Sequence, residues 1–397
     1  MLTNKNIVLG VTGSIAAYKI ANLASALKKL NANVDVIMTE NATNFINPIT
    51  FETLTGNKCI VDTFDRGFQH NVEHISLAKK ADLFLVAPAS ANIIAKLAHG
   101  IADDMLSTTA LAFKCKCMVA PAMNSNMYTN PIVQENIDKL RGYGYEIIEP
   151  ASGYLACGDT GVGKMVSEDV LMDYILREVA LEKDMLGKKV IISAGATLER
   201  IDPVRFISNH STGRMGYALA RNAMLRGAEV TLVTAKSPLT PPPFIKVINV
   251  ESAQDMFEAF DANFRDNDIV VKAAAVSDYT PMDVADEKIK KKEGDASIPL
   301  KRTKDILAHM GANKQEGQFI CGFSMETQNM LENSQAKLAR KNADMIIANS
   351  LRDENAGFAS VTNKVTMITP EDIIEYPLMS KEDLSHIIFT EILKKMA

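Results

Sequence analysis

The regular alternation of short apolar runs with helical patterns is the feature that most constrains how this chain folds. NIVLGVTG, at residues 6–13, is a continuous apolar run typical of strands buried on both faces. Ile20, Leu23, Leu27 and Leu30 follow at steps of three and four, which predicts a helix with one apolar face. The strand-like runs NVDVIMT, DLFLVAPAS, CKCMVAPAM and YEIIEP continue the rhythm. This order predicts a parallel sheet with helices on both sides.

A second unit of the same kind begins at GKKVIISAGAT, residues 187–197. It continues with a glycine-rich turn at 208–216, a helix, and the strand-like runs AEVTLVTA, DIVVKAAAV, GQFICGF and ADMIIANS. We expect KVTMIT to be an edge strand and KEDLSHIIFTEILKKM to be a closing helix. We therefore predict an α/β protein with two doubly wound, Rossmann-like parallel-sheet domains, at 1–186 and 187–397.

Composition excludes several classes of partner. A chain of 397 residues suits two domains, and a net charge of −5 gives no reason to expect nucleic acid or an anionic membrane. Five cysteines without the spacing of a disulfide framework favour free thiols in a reducing compartment. We find no apolar run long enough to span a bilayer. We expect a cytoplasmic protein.

Residues 150–167 interrupt the alternation. They are rich in glycine and lack periodicity, which predicts a long loop. Within them CGDTGVGKM has the glycine and lysine spacing of a P-loop, but Met165 stands where a P-loop has a Ser or Thr that binds Mg²⁺. The segment also lacks a strand directly before it. We interpret it as a mobile flap that carries Cys157, with Ser167 as the N-cap of the next helix.

Other short motifs follow predicted strands, where open parallel sheets bind ligands. Gly13 and Ser14, in TGSIAA, suit either a phosphate site or an ordinary strand-to-helix turn. Ser90, Asn92 and Asn124, in APASAN and APAMNSNM, suit helix capping, ligand binding, or both. The lysine-rich stretch 286–295 is either a solvated loop or a phosphate-facing flap. No spacing of His and Cys resembles a zinc site.

Taken in order, these motifs resemble the bacterial bifunctional enzymes that fuse phosphopantothenoylcysteine decarboxylase to phosphopantothenate–cysteine ligase. The matching strings in the first half are GVTGSIAAYK, HISLAK, APASANIIAKLAHGIADD, PAMNSNM and ACGDTGVGKM. Those in the second half are SAGATLERIDPVRFISNHSTGRMG, AAAVSDY, EKIKKK and KNADMIIAN. The resemblance covers nearly the whole chain and implies a role in coenzyme A biosynthesis.

For the first half the resemblance implies an FMN-dependent decarboxylase. In that family the flavin oxidises the cysteine thiol of the substrate, CO₂ leaves, and the same flavin reduces the product. The implied roles are a base at His74, a proton donor at Cys157, and substrate binding at Asn124 and Met127. The implied FMN contacts are Gly13, Ser14, Thr39, Ser90 and Asn92.

For the second half the resemblance implies a ligase that activates 4′-phosphopantothenate with CTP and Mg²⁺ through an acyl-cytidylate, which cysteine then attacks. The implied catalytic residues are Lys288, which favours the flap interpretation of its loop, and Asn209. The implied CTP contacts are Ala273, Ala274, Asp278, Lys288, Phe323, Lys337 and Lys341. The Mg²⁺ ligands are unknown. The resemblance further implies a homo-oligomer, with trimeric decarboxylase halves and dimeric ligase halves.

Two departures from the family pattern stand out. Lys304-Asp305-Ile306 replaces a common Pro-Asp-Ile, and Lys272 is an unusual end for an apolar strand. The sequence leaves two alternatives to the bifunctional enzyme. A nicotinamide dehydrogenase needs a G-x-G-x-x-G after a strand and an acid about 20 residues on, and neither half has that pattern, although Asp35 lies near the required position. A non-catalytic flavin-binding protein is disfavoured by the presence of His74, Cys157 and Lys288 together.

Overall fold

The computed structural model describes residues 1–64, 73–155, 158–291, 297–326, 329–350 and 360–396. The chain divides into two compact units, Met1–Leu181 and Glu182–Ala397, a few residues before the boundary that we predicted. Each unit is described by itself.

The first unit contains a parallel sheet of six strands. These are β1 (Asn6–Val11), β2 (Asn33–Met38), β3 (Cys59–Ile60), β4 (Leu83–Ala89), β5 (Lys116–Pro121) and β6 (Glu146–Ile147). Their order is β3-β2-β1-β4-β5-β6. In this order the connections reverse direction between β1 and β4, which is where open α/β sheets bind ligands.

Helices cover both faces of this sheet. They are α1 (Ala17–Lys29), α2 (Pro48–Thr55), α3 (Glu73–Lys80), α4 (Ala91–His99), α5 (Met105–Ala112), α6 (Ser125–Tyr128), α7 (Pro131–Gly142) and α8 (Glu168–Val179). Val8 packs in one core cluster with Ile94 and Leu106, while its neighbours Ile7 and Leu9 point to the opposite face and are equally inaccessible. Because side chains alternate along a strand, both faces must be covered, as the uninterrupted apolar run predicts. The apolar positions of α1 face inward, and its Ile20, Leu23 and Leu27 are fully buried.

The segment that we predicted as a long loop is instead a β-hairpin. Strands β7 (Ala151–Tyr154) and β8 (Thr160–Lys164) pair antiparallel, with Tyr154 opposite Thr160. The loop prediction was wrong because this hairpin is held by backbone hydrogen bonds and leaves no side-chain periodicity. Ser167 caps α8 as predicted, its side chain accepting a hydrogen bond from the amide of Val170 at 3.4 Å.

The second unit repeats the arrangement with an eight-stranded sheet. Its strands are β9 (Lys189–Ala194), β12 (Glu229–Thr234), β13 (Lys246–Asn249), β14 (Ile269–Lys272), β17 (Phe319–Glu326), β18 (Met345–Ser350), β19 (Thr362–Ile368) and β20 (Ile373–Ser380). Two small hairpins stand apart from it, formed by β10 (Leu198–Arg200) with β11 (Phe206–Ser208) and β15 (Tyr279–Pro281) with β16 (Leu300–Arg302). The sheet order is β13-β12-β9-β14-β17-β18-β19-β20, with β19 and β20 antiparallel to their neighbours. The reversal point therefore lies between β9 and β14.

The helices of the second unit are α9 (Arg214–Leu225), α10 (Ala253–Asn263), α11 (Ile306–Ala312), α12 (Met330–Arg340) and α13 (Lys381–Met396). Helix α9 packs closely on β9, because a Cβ at Gly216 would lie 2.6 Å from the Cβ of Ala194. A glycine at this position therefore allows the helix to start directly against the strand end.

KVTMIT forms most of β19, which is not an edge strand. It pairs with β18 on one side and with β20 on the other. The outer strand β20 was missed because its side chains are mostly exposed and Pro377 interrupts its pattern.

Candidate active sites

A cavity of about 440 Å³ opens in the first unit where β1, β4 and β5 end. Its lining includes five of the predicted ligand-binding residues: Gly13, Ser14, Ser90, Asn124 and Met127. Most of the other lining side chains are apolar. The structure thus brings together motifs that lie more than a hundred residues apart in the sequence.

The turn between β1 and α1 forms one wall of this cavity. A Cβ at Gly13 would lie 2.9 Å from the Cβ of Asn41, so the turn has room only for glycine. The hydroxyl of Ser14 accepts a hydrogen bond from the amide of Ala16 at 3.3 Å. No side chain caps α1 at its N-cap residue, Ala16. An anion placed here would meet the positive end of a 13-residue helix.

The ends of β1 and β4 are joined through a buried hydroxyl. Thr12 is 1% exposed, and its Oγ1 donates to the carbonyl of Pro88 at 2.7 Å and accepts from the amide of Ser90 at 3.0 Å. Ser90 in turn caps α4 by accepting from the amide of Ile93 at 3.4 Å. Ser90 is therefore a helix cap, as considered, and it also lines the cavity, while ligand binding by Ser90 stays a prediction.

The turn after β5 carries the predicted substrate-binding residues. Asn124 caps the short helix α6, its Oδ1 accepting from the amide of Asn126 at 2.8 Å. Its Nδ2 donates to Asp159 Oδ2 at 3.1 Å, which links this turn to the β7–β8 hairpin. Met127 is 48% exposed and lines the same cavity.

The β7–β8 hairpin rests directly on the Asn124 turn. The amide of Met123 donates to the carbonyl of Gly163 at 3.0 Å. Gly163 has φ +129°, and a Cβ there would lie 2.3 Å from the carbonyl oxygen of Met123. Tyr154 and Lys164 of the hairpin line the cavity, together with Met165, the residue after β8. Thr160–Lys164, within the stretch that has P-loop spacing, is therefore a strand of a hairpin, without the strand-loop-helix context of a phosphate-binding loop. Cys157 lies outside the described residues.

Three predicted residues of the first unit lie outside the cavity lining. His74 is half-buried on α3, and Asn92 is exposed in the first turn of α4. Thr39 follows β2, and its Oγ1 is buried without a hydrogen-bond partner among the described residues. A buried hydroxyl without a partner is costly, and a phosphate oxygen would satisfy it. The uncapped α1, the close turn at Gly13 and this hydroxyl together fit a flavin phosphate.

In the second unit a cavity of about 410 Å³ opens where β14 and β17 end. Four of the predicted nucleotide contacts line it: Asp278, Phe323, Lys337 and Lys341. Ala273 and Ala274 follow directly on Lys272, which also lines it. Three further residues line this cavity that the sequence patterns did not identify as site residues. Tyr279 lies in β15, Arg302 lies in β16, and Thr303 follows β16.

Ion pairs and hydrogen bonds orient the lysines of this cavity. Lys337 Nζ donates to the carbonyl of Phe323 at 2.9 Å, and Lys341 pairs with Asp305. Asp305 also caps α11 by accepting from the amide of Ala308 at 2.9 Å. Burial would raise the pKa of Asp305, but the ammonium of Lys341 and this amide hold it below its usual value. Lys304 lies over the ring of Phe257, 4.4 Å from its centroid.

Asn209 contacts the chain just beyond β14. Its Nδ2 donates to the carbonyl of Ala275 at 3.2 Å, and the same oxygen accepts from the amide of Thr197. The predicted Asn209 and the AAAV segment are therefore neighbours, although they lie in separate motifs.

Lys288 is exposed and is not part of the cavity lining. The loop that carries it is fastened to the turn between β10 and β11. Asp202 Oδ2 accepts from the amide of Ile289 at 3.1 Å, and Arg205 donates to the carbonyl of Ile289 at 2.8 Å. The amide of Ala285 also donates to the carbonyl of Ile201 at 3.0 Å.

Asp202 is the centre of this attachment and is 1% exposed. Its Oδ1 accepts from the amides of Val204 and Arg205, both at 2.8 Å, and its Oδ2 also accepts from the Arg205 guanidinium. Burial would raise the pKa of Asp202, but these donors hold it far below its usual value. The carboxylate is therefore charged at any physiological pH.

Comparison with known proteins adds an independent observation. A family model described as DNA/pantothenate metabolism flavoprotein C-terminal domain matches residues 185–396, and one described as Flavoprotein matches residues 1–180. The chain is 46% identical over 396 residues to the coenzyme A biosynthesis bifunctional protein CoaBC of Bacillus subtilis (strain 168), covering 99% of this chain and 97% of that protein. The chain belongs to this family. It is a bifunctional enzyme of coenzyme A biosynthesis, with a decarboxylase in the flavoprotein unit and a ligase in the other.

The chain is also similar to two other proteins. The chain is 44% identical over 354 residues to a cysteine/cysteine sulfinic acid decarboxylase from an unknown prokaryotic organism, covering 88% of this chain and 99% of that protein. A crystal structure of the C-terminal domain of a coenzyme A biosynthesis bifunctional protein CoaBC is 41% identical, with a TM-score of 0.45, covering 52% of this chain and 95% of that one.

Two kinds of feature are absent from the described part of the chain. No described helix is both long and apolar enough to cross a membrane. No group of three or more His, Cys, Asp or Glu side chains within the described residues could hold a metal ion.

Proposed function

We propose that the first unit uses FMN to decarboxylate 4′-phosphopantothenoylcysteine, and that the second makes this compound from 4′-phosphopantothenate, cysteine and CTP. One observation carries the proposal. Two separate parallel sheets each have a cavity at the ends of their central strands, one with a mainly apolar lining and one rich in cations. An apolar cavity suits a flavin ring, whereas a cationic cavity suits a polyphosphate.

In the first unit the residues present fit FMN. Gly13, Ser14, Thr39, Ser90 and Asn92 would hold the phosphate and the polar edge of the cofactor. When bound, FMN supplies a reversible two-electron oxidation at the substrate's cysteine carbon.

The other residues of this unit act on the substrate. Asn124 offers an amide that would bind the carboxylate, and Met127 would pack beside it. His74 acts as the base and Cys157 as the proton donor. The hairpin lies over Met123 and Asn124, so in the proposed mechanism it shields the reacting carboxylate from water.

In the second unit the carboxylate of 4′-phosphopantothenate attacks the α-phosphate of CTP and pyrophosphate leaves. The amine of cysteine then displaces CMP. The first step brings two anions together. Cations must screen this repulsion, and Lys337 and Lys341 line the cavity for that purpose. Ala273, Ala274, Asp278 and Phe323 complete the CTP site in the proposal. Lys288 stabilises the transition state of activation, and Asn209 acts on the acyl-cytidylate. Mg²⁺ accompanies CTP in this proposal.

We further propose that the protein is cytoplasmic and assembles as an oligomer, with trimeric decarboxylase halves and dimeric ligase halves. Large apolar side chains are exposed on or beside the two small hairpins of the second unit: Val204, Phe206, Tyr279, Met282 and Val284. Ile15 and Tyr18 are likewise exposed beside the cavity of the first unit. Such surfaces are typical of protein contacts.

The test supplies the purified protein with 4′-phosphopantothenate, cysteine, Mg²⁺ and each nucleoside triphosphate in turn. We expect mass spectrometry to detect 4′-phosphopantetheine with CTP, and a yellow protein with a flavin spectrum. A parallel sample with cysteine alone measures direct decarboxylation of the free amino acid. Product from cysteine alone, with none from phosphopantothenate, would contradict the proposal and favour a cysteine decarboxylase.

A further inference from the structure

Lys272 is a cation at the end of a buried strand, and no ion pair among the described residues accounts for its charge. It ends β14 after Ile269, Val270 and Val271, all of which are fully buried. The side chain is half-buried, its ammonium donates to the carbonyl of Ala274 at 3.1 Å, and it forms no ion pair with a described residue. A cation costs free energy in such a position.

The surroundings of Lys272 have an excess of positive charge. Five cationic side chains and two carboxylates line the cavity: Lys272, Arg302, Lys304, Lys337, Lys341, Asp278 and Asp305. One carboxylate, Asp305, already pairs with Lys341 and caps α11. The remaining excess of cations matches a ligand with several negative charges.

We propose that Lys272 binds the polyphosphate chain of the nucleotide and thereby sets the affinity of the ligase site for triphosphates. The inference rests on the proposed function of this cavity as the nucleotide site. Lys272 stands at the end of β14, the strand beside the reversal point of the sheet, where phosphates bind in folds of this kind. In this proposal Lys272 therefore acts on the nucleotide together with Lys337 and Lys341, which line the same cavity.

The charge of Lys272 depends on pH near neutrality. Burial and then Lys337 lower the pKa of Lys272 to about 8, Asp278 and Asp305 oppose the shift, and Lys341 adds to it. A phosphate is bound best by the protonated ammonium, so affinity for the polyphosphate falls as the pH rises through about 8. A bound polyphosphate raises the pKa of Lys272 again, so binding above this pH takes up a proton.

The test compares the full-length enzyme with its Lys272→Met and Lys272→Arg variants. Calorimetry measures the binding of Mg²⁺–CTP and of inorganic tripolyphosphate at pH 7 and pH 9, and ligand-observed NMR measures the binding of cytidine. Lys301→Met is the matched control, because Lys301 lies in the adjacent β16 outside this cavity and is exposed. Thermal unfolding checks that each variant is folded.

We expect Lys272→Met to weaken the binding of CTP and of tripolyphosphate about tenfold or more at pH 7. The affinity for cytidine should not change. The wild type should lose affinity between pH 7 and pH 9, whereas Lys272→Arg should lose less because its guanidinium stays charged. Unchanged tripolyphosphate binding in Lys272→Met, or an equal loss for cytidine, would overturn the inference. A wild type that makes product without binding CTP would instead refute the nucleotide assignment.

Discussion

At the scale of single residues, Gly163 shows how one backbone position limits the decarboxylase site. Its φ of +129° and the 2.3 Å approach of a Cβ to the carbonyl oxygen of Met123 leave no room for a side chain. We expect Gly163→Ala to displace the hairpin from the Asn124 turn and to lower CO₂ release at least tenfold, with ligation unchanged. Separate assays of CO₂ and of phosphopantothenoylcysteine formation measure this.

Gly142→Ala is the control for that substitution. Gly142 ends α7, and a Cβ there would have no heavy atom within 4 Å. If both variants lost decarboxylation equally, the close contact at Gly163 would not be the cause.

A substitution at Thr12 measures how much the buried hydroxyl that joins β1 to β4 contributes to the stability of the first unit. Thr12→Val keeps the volume but leaves the carbonyl of Pro88 and the amide of Ser90 without their partner. We expect a loss of about 2 kcal/mol or more in the free energy of unfolding of the first unit, measured by urea titration. Exposed Thr53→Val should change it by less than about 0.5 kcal/mol. Similar losses for the two variants would mean that the buried hydroxyl contributes little.

Residues that carry a recognisable motif could be assigned from sequence, whereas others could not. Gly13, Ser90 and Asn124 follow strands, and parallel strand ends must meet at one edge of the sheet. Arg302 and Tyr279 come from a short hairpin without apolar alternation, so no pattern identified them as lining a cavity. Lys272 was visible as an exception to its strand, although its chemistry depends on neighbours that only the fold supplies.

At the scale of elements, the loop at 283–291 depends on a second element for its position. The buried carboxylate of Asp202 accepts from the amide of Ile289, next to Lys288. We expect Asp202→Asn to loosen the loop, because an amide replaces two charge-assisted interactions with Arg205 by weaker ones. Limited trypsin digestion should then cut at Lys288 and Lys290 several-fold faster, and the ligation rate should fall.

Asp283→Asn is the matched control, since it removes the same charge from an exposed position of the same loop. It should leave both the cleavage rate and ligation unchanged. Equal cleavage of the two variants and the wild type would show that Asp202 does not position the loop.

Elements with strong apolar periodicity were predicted correctly, and those held mainly by backbone pairing were not. The runs that became β1, β2, β4 and β5 lie within a residue or two of their observed bounds. The hairpin β7–β8 was missed, and β20 was missed with it, because exposed or glycine-rich strands lack a pattern in their side chains. Such strands are stabilised by contacts with residues that are distant in the sequence, and a local stretch of sequence does not reveal those contacts.

At the scale of the whole molecule, the six strands of the first sheet and the first six of the second follow the same order, with β1 and β9 each third from one edge. Each reversal point lies beside one cavity, so the alternation of strands and helices was enough to predict where these two cavities open. It could not predict which ligand, because that depends on the residues at the strand ends: apolar beside β5, cationic beside β14.

Two cavities in separate compact units should give two activities that can be removed independently. In the full-length enzyme we expect His74→Asn to abolish CO₂ release while CTP-dependent ligation continues, and Lys288→Gln to do the reverse. Lys79→Gln on α3 and Lys290→Gln in the loop are the controls, since both residues are exposed neighbours without an assigned role. The two assays are run on each variant with saturating substrates, and flavin absorbance reports cofactor retention. If His74→Asn stopped ligation while it kept its flavin, or if Lys290→Gln matched Lys288→Gln, the assignment of one chemistry to each unit would fail.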